Sequence, residues 1–424
     1  MKREMEEAAN ATREGLKVED TILRLQQTEV SLEDRSRSPL LSKQMPGLDV
    51  LRGVAVLSVY FFHASGTLDE GIASTQGARM LRAIASPGWA GVNLFFVLSG
   101  FLITGKLLDT KMRPNYWSSF YVRRALRILP VYLVILLLTK AYFHLHWIYV
   151  VMCVLYAANI ANYFSSIGPG YGPLWSLAVE EQFYLVWPLM VRRLTLRGLA
   201  ILSCAIIVVC PVLRGLSLRY PWLGDTSTTW QAADFLAWGA LVAIFLRSRY
   251  TTLRRVHILC LFLWSGGFLL LGILYRFGSL STKTVLGVAL KYDAILMFFT
   301  LTLVLALLFG ENRWVLRWSA PIRFFGFISY GFYLFHVLLL HAYVDVFQYF
   351  HGPVTLVTAR FLLVRCAVVL LCCTALSFLS RAYFEERFLR LKERLVPYGV
   401  SAEGRRGSRG SLREDEATTL EKAS

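Results

Sequence analysis

Apolar runs of membrane-crossing length recur along most of this chain, and that repetition limits the fold more than any other feature. They centre on residues 48–65, 89–108, 125–143, 147–164, 174–191, 198–213, 230–246, 256–275, 286–309, 324–344 and 356–380. A bilayer's hydrocarbon core is roughly 30 Å thick, so about 20 helical residues cross it. In lipid every backbone N–H and C=O must find its partner within the chain, which leaves helices or a closed barrel. Barrel strands would alternate apolar and polar residues over about ten positions. These runs do not alternate. The chain, 56% hydrophobic over 424 residues, is therefore expected to be an all-α, polytopic integral membrane protein.

Charge between the runs sets the topology. Strongly basic connectors are 105–127, 192–197, 247–255 and 311–323, joined by the segment after Phe384. Lys and Arg concentrate in cytoplasmic loops, so these connectors are assigned to the cytoplasm. Alternation then works except between His146 and Arg192, which must cross an odd number of times but holds two runs, 147–164 and 174–191. One of the two is expected to be partial or re-entrant. The second is the better candidate, because it carries Glu180 and Glu181. The prediction is about ten transmembrane helices plus one partial helix, with both termini cytoplasmic. Residues 1–45 form a polar cytoplasmic tail, 46–394 the membrane domain, and 395–424 a disordered cytoplasmic tail.

The formal charge of +17 belongs to the membrane domain. Residues 1–45 hold 8 Lys/Arg and 9 Asp/Glu, and residues 401–424 hold 5 of each. The rest therefore carries 32 basic and 14 acidic residues, or +18. A basic nucleic-acid-binding tail is excluded on that distribution. The seven cysteines sit in apolar runs without a CxxC pair, and the seven histidines show no ligand spacing, so no metal is expected. The N-terminus opens on mixed charge, so no cleavable leader is expected and the first span would serve as the targeting signal.

Several runs carry groups that are costly in lipid. Arg52 and His63 are eleven residues apart in the first run, which puts them within about 20° of each other on one helix face, roughly 16 Å apart along its axis. Asp49, one turn before Arg52, is placed to pair with it. In the second run, Ser99 and Gly100 in Gly91-Val92-Asn93-Leu94-Phe95-Phe96-Val97-Leu98-Ser99-Gly100-Phe101 would let another helix approach closely. Arg123, Arg124 and Arg127 stand where the third run begins. Arg124 and Arg127 share a face, and guanidinium groups there could grip phosphates with paired hydrogen bonds. Positive-inside anchoring would explain the same residues equally well.

Glu180 and Glu181 are the most expensive feature of the sequence. As neighbours on a helix they point about 100° apart, so each is expected to need its own partner. One could pair with an arginine. In the tenth run Ser329, Tyr333 and His336 share a face. Asp234 and Asp293 near the ends of their runs are further candidates for an acceptor site, with partial solvation at the boundary as the plain alternative.

Taken in order, Arg52-x10-His63, the run at 91–101, Arg123-Arg124-Ala125-Leu126-Arg127-Ile128-Leu129-Pro130, Trp175-Ser176-Leu177-Ala178-Val179-Glu180-Glu181-Gln182-Phe183-Tyr184-Leu185 and Ile328-Ser329-Tyr330-Gly331-Phe332-Tyr333-Leu334-Phe335-His336 resemble the integral-membrane type-3 acyltransferases. These include O-acetyltransferases of lipopolysaccharide and exopolysaccharide and macrolide acyltransferases. The resemblance covers about residues 46–394. It implies that Arg52 and His63 are the paired functional residues of the first span, that Glu180 is the acidic position of the WSL motif, and that His336 is the histidine of the late motif. It also implies a multi-pass protein of the bacterial inner membrane. One departure is that Glu385-Glu386-Arg387 lacks the proline that often follows the last span in the family. Another is the short tail, where some members carry a hydrolase-like domain; single-component transfer is implied.

The resulting expectation is transfer of an acyl group, acetyl foremost, from acyl-coenzyme A to a hydroxyl of a carbohydrate, lipid-linked glycan or other cell-envelope acceptor. His63 would be the general base and Glu180 would orient or balance charge; these two are the catalytic candidates. Arg52, Arg124 and Arg127 would bind the donor. His336, Tyr333 and Ser99 are candidates for the acceptor site or for supporting the catalytic residues. No bound cofactor is expected, with acyl-coenzyme A as co-substrate. The alternative is a secondary transporter of a small anionic or lipid-linked substrate, since intramembrane Glu, Arg and His also mark transport pathways. No internal repeat supports it.

Overall fold

The computed structural model describes residues 45–66, 73–161, 170–248, 251–279 and 284–396. Both tails, apart from Met45 and the residues just before 397, lie outside the described residues. The chain is a succession of helices. Helix α1 runs Pro46–Gly66, α2 Gln76–Ala85, α3 Gly91–Asp109 and α4 Tyr116–Phe143. Two short helices follow, α5 Trp147–Val154 and α6 Ala158–Ala161, and then α7 Leu174–Arg193. Helices α8 Leu196–Ser217, α9 Thr229–Leu246, α10 Leu253–Arg276 and α11 Val285–Phe309 come next. A short α12 Arg313–Trp318 leads to α13 Ala320–His351, α14 Ala359–Leu379, a π-helical turn at Ser380–Glu385 and α15 Glu386–Leu395. The one strand pairing among the described residues joins β1 Ala73–Ser74 to β2 Leu356–Val357, in parallel and two residues deep. The protein is all-α and polytopic.

Nine helical stretches among the described residues are long and apolar enough to cross a membrane. Helix α7 is not one of them, because Glu180, Glu181, Arg192 and Arg193 all lie on it. Its 20 residues nonetheless span about 30 Å, and with it the described residues hold ten helices of crossing length. The incomplete member of the 147–164 and 174–191 pair is therefore the first, against the expectation from sequence. Helix α5 has 8 residues, about 12 Å. It stops where Tyr156 takes a left-handed conformation, φ 53°. The glutamates do not shorten α7, because both find one arginine within the fold.

Threonines fix several of the helix starts. Thr195, Thr284 and Thr358 accept the backbone N–H three residues on, at 3.1 Å each, opening α8, α11 and α14. This is N-capping, and it satisfies a donor that the helix leaves without an internal partner.

The chain divides into two compact units. One comprises the described residues of Met1–Leu57 with Ala90–Lys106 and Phe183–Phe327; the other comprises Ser58–Trp89, Leu107–Gln182 and the described residues of Ile328–Ser424. In the first unit helices meet backbone to backbone. A Cβ on Gly100 of α3 would sit 1.9 Å from the Leu236 carbonyl of α9, and one on Gly239 would sit 1.9 Å from the Val97 carbonyl. The crossing is glycine-for-glycine, the close approach expected of Gly100. Gly53 against Ile322 and Gly326 against Asp49 do the same for α1 and α13, at 2.0 Å each.

The second unit is tied by tyrosine hydroxyls that donate to main-chain carbonyls. Tyr60 donates to Cys366 at 2.6 Å, Tyr132 to Cys153 at 2.7 Å and Tyr330 to Ile128 at 2.7 Å. Tyr171 donates to Leu334 at 2.7 Å and accepts from the Leu338 N–H at 3.1 Å. In the absence of water such bonds satisfy a buried hydroxyl and cross-link the helices in one contact. Beside them, Ala78, Val354, Val357 and Leu362 form a small cluster under the β1–β2 pairing.

Candidate active site

Helices α1 and α13 bring His63 and His336 into contact within the second unit. His336 Nε2 lies 3.1 Å from His63 Nδ1, and the ring centroids are 5.1 Å apart. His63 Nδ1 also lies 3.0 Å from the Val59 carbonyl of its own helix. His336 Nδ1 lies 2.6 Å from the Tyr333 carbonyl. His336 is 1% exposed, whereas His63 is half-buried. Phe332 stacks on the His336 ring at 6.5 Å and Tyr60 meets it edge-on at 6.4 Å. Two imidazoles in hydrogen-bond contact inside an aromatic wall form a place where a proton can be taken and held.

Tyr333, from the same turn of α13, reaches α7. Its hydroxyl is 2.6 Å from Ser176 Oγ, which donates in turn to the Pro173 carbonyl at 3.2 Å. Ser176 is one helical turn before Glu180. The carboxylates of Glu180 and Glu181 both turn to Arg124 on α4: Nη2 is 3.7 Å from Glu180 Oε2, and Nε is 3.4 Å from Glu181 Oε1. The expectation of separate partners is thus corrected. A guanidinium presents donors on two edges of its plane, and its long stem lets it lie between neighbouring carboxylates. The three side chains are 13–17% exposed. Gln182 next to them donates to the Tyr156 carbonyl at 2.7 Å and to Asn159 Oδ1 at 3.0 Å.

The other arginines separate. Arg123 donates to the Val396 carbonyl. Arg127, one turn from Arg124, acts electrostatically on Glu385 in the π-helical turn. In the first unit, Arg52 pairs with Asp49 at 3.1 Å, as their spacing predicts, and Ser99 is half-buried on α3. Asp234 and Asp293, also there, are not partly solvated. Both close on Arg214 Nη2, at 2.7 and 3.0 Å.

A family model described as an acyltransferase domain matches residues 45–378. The chain belongs to this acyltransferase family. Several curated relatives are similar to this chain. A putative peptidoglycan O-acetyltransferase of Bacillus subtilis is 30% identical over 332 residues, covering 69% of this chain and 48% of the relative. A peptidoglycan O-acetyltransferase of Listeria monocytogenes is 27% identical over 348 residues, covering 69% and 49%. A putative O-acetyltransferase of Staphylococcus aureus is 26% identical over 358 residues, covering 73% and 54%. The chain thus spans about half the length of the curated relatives it matches. No solved structure matches it.

Three partnerships in the chain had no signal in the sequence. The contact of His63 with His336 joins residues 273 apart. Arg214 stands at the end of an apolar run, and nothing nearby in sequence points to its carboxylates. Glu181 was visible as a charge in an apolar run, but its sharing of Arg124 was not.

Proposed function

We propose that the protein is a membrane O-acyltransferase that moves an acyl group, acetyl foremost, from acyl-coenzyme A to a hydroxyl of a cell-envelope carbohydrate. The observation that carries this reading is the contact between half-buried His63 and buried His336 in a chain of the acyltransferase family. The relatives' names, two of them for peptidoglycan O-acetylation, support a carbohydrate acceptor and an acetyl group.

In this mechanism His63 is the general base. It takes the proton of the acceptor hydroxyl as the oxygen forms a bond to the thioester carbonyl carbon. The C–S bond breaks, and the thiolate leaves and takes up a proton. A positioned base of this kind contributes about 10²–10⁴-fold. Arg124 and Arg127 stand at the basic, cytoplasmic start of α4 and bind the donor's phosphates. Arg52 stands at the start of α1, on the cytoplasmic side where both termini lie. Glu180 and Glu181 hold the Arg124 guanidinium in place and balance its charge. Ser176 and Tyr333 orient the α7–α13 wall of the site.

The test is acetyl-coenzyme A binding to the purified protein in nanodiscs by calorimetry, coupled to transfer of labelled acetyl to a soluble glycan fragment. Saturable binding, weakened about tenfold or more in Arg124→Ala through loss of charge-assisted hydrogen bonds, is the expected result. His63→Ala should keep donor binding and lose transfer by at least about 10²-fold. Turnover retained in His63→Ala sinks its role as base. Absence of binding in well-folded wild-type protein sinks acyl-coenzyme A as donor.

A further inference from the structure

We infer that His336 is a positioning residue that holds the proton of His63 on Nδ1 and so makes Nε2 the atom that accepts the substrate's proton. The inference rests on the reading of His63 as the base, and it adds which nitrogen works and what selects it.

Which atoms can donate fixes where the hydrogens lie. A backbone carbonyl only accepts, so the contact of His336 Nδ1 with the Tyr333 carbonyl at 2.6 Å requires a hydrogen on Nδ1. His336 is 1% exposed. Its polar contacts include the main chain of Tyr333 and Phe332 and the imidazole of His63, and a charged ring in such surroundings costs far more than a neutral one. A neutral ring with its hydrogen on Nδ1 has a bare Nε2. That bare nitrogen is the atom 3.1 Å from His63 Nδ1. The second neighbour of His63 Nδ1, the Val59 carbonyl at 3.0 Å, is likewise an acceptor. Two acceptors around one nitrogen place a hydrogen on it. His63 therefore carries its hydrogen on Nδ1, and its lone pair lies on Nε2.

The opposite tautomer would set a bare His63 Nδ1 against two acceptors, with three lone pairs converging and no hydrogen among them. The free imidazole in water favours the hydrogen on Nε2, so the selection here is made by the protein. The Val59 carbonyl already accepts the helical N–H of His63, which makes it the weaker of the two acceptors. His336 is thus the principal determinant.

The same contact has a consequence when His63 acts. Once Nε2 takes the acceptor's proton, the ring is an imidazolium whose Nδ1–H points at the His336 nitrogen. The charge then forms against an oriented acceptor, the role that a carboxylate has in a catalytic triad. A neutral imidazole does this more weakly. In return, it leaves no net negative charge buried in the resting site.

The test is nitrogen-15 NMR of histidine-labelled full-length protein in nanodiscs, at a pH where the rings are neutral. Signals are assigned by loss in His63→Gln and in His336→Gln. In the wild type, both rings should show protonated Nδ1 and bare Nε2, with a scalar coupling between His336 Nε2 and His63 Nδ1 across the hydrogen bond. In His336→Phe, the His63 population should move toward a protonated Nε2. His336→Gln, whose carbonyl oxygen restores an acceptor, should move it back. Transfer should follow the same order, with kcat falling in the Phe variant and partly recovering in the Gln variant while KM for the donor holds. A wild-type His63 with hydrogen on Nε2 overturns the inference, and so does a tautomer indifferent to both substitutions. The NMR result stands apart from activity. The predicted tautomers in a protein that transfers no acyl group would refute the acyltransferase reading and leave the positioning of His63 established.

Discussion

Each compact unit contains one arginine held by two carboxylates, and the two clusters are built differently. In the first unit Arg214, Asp234 and Asp293 come from α8, α9 and α11. The arginine and Asp234 are fully buried and Asp293 is 10% exposed, with N···O distances of 2.7 and 3.0 Å. Arg214 also donates to the Gln231 carbonyl at 2.7 Å, and its guanidinium lies between the rings of Phe235 and Tyr292 at 5.5 and 5.4 Å. In the second unit Arg124 meets Glu180 and Glu181 at 3.7 and 3.4 Å, with all three partly exposed. Ion pairs that are dry and short exclude further ligands and fix the helices that carry them. Longer, wetter ones can exchange a partner. The contrast gives Arg214 an architectural place, and under the proposed mechanism Arg124 is among the arginines that meet the anionic donor.

Breaking the dry cluster should have the largest effect. Arg214→Met removes the cation that bridges two buried carboxylates, and loss of one partner from a buried pair costs about 3–5 kcal/mol. Unfolding in detergent followed by tryptophan fluorescence would show it. The double variant Arg214→Met/Asp293→Asn should recover part of the loss, because one of the stranded charges is gone. A single variant as stable as wild type would remove the distinction between the two clusters.

The next contrast is between glycines. Gly100→Ala drives a Cβ to 1.9 Å from the Leu236 carbonyl in the first unit. The backbones must separate, at about 1–3 kcal/mol. Gly331→Ala in the second unit meets nothing nearer than 3.5 Å, an ordinary contact. Replacing a mid-helix glycine there should stabilise by up to about 1 kcal/mol. Thermal unfolding of the two variants should therefore move in opposite directions. A shift of the same sign in both would mean that the crossing of α3 and α9 tolerates separation.

These differences also show what a sequence can disclose. The helices were legible because lipid imposes a length and forbids unpaired backbone, and both demands are written locally. Asp49 and Arg52 were legible as a pair because one helical turn separates them. Gly100 was legible as a packing position from its size alone, but Leu236, which it faces, was not. Sequence spacing carries no information on contacts between distant elements. Arg214 finds Asp293 across 79 positions, and His63 finds His336 across 273. The misplaced partial span has the same origin. Glu180 and Glu181 made α7 look unable to cross, because the cost of their charges was visible and the compensating Arg124, 57 positions before Glu181, was not.

The smallest expected change in stability is also the one that sharpens the comparison most. Arg124→Gln keeps a hydrogen-bond donor near Glu180 and Glu181 and removes the charge. The contacts it weakens are longer than 3.3 Å and 13–17% exposed, and the glutamine still donates to a carboxylate, so the loss should be small beside that at the shorter, drier Arg214 pairs. Stability should hardly move, while acetyl-coenzyme A affinity should fall about tenfold or more, since the guanidinium's charge-assisted bonds to phosphate are lost. Arg214→Gln should do the reverse, with a large loss of stability and unchanged affinity in the fraction that remains folded. If Arg124→Gln instead destabilised the protein as much as Arg214→Gln, the half-open cluster would be as structural as the closed one. The donor site would then have to be sought away from α4.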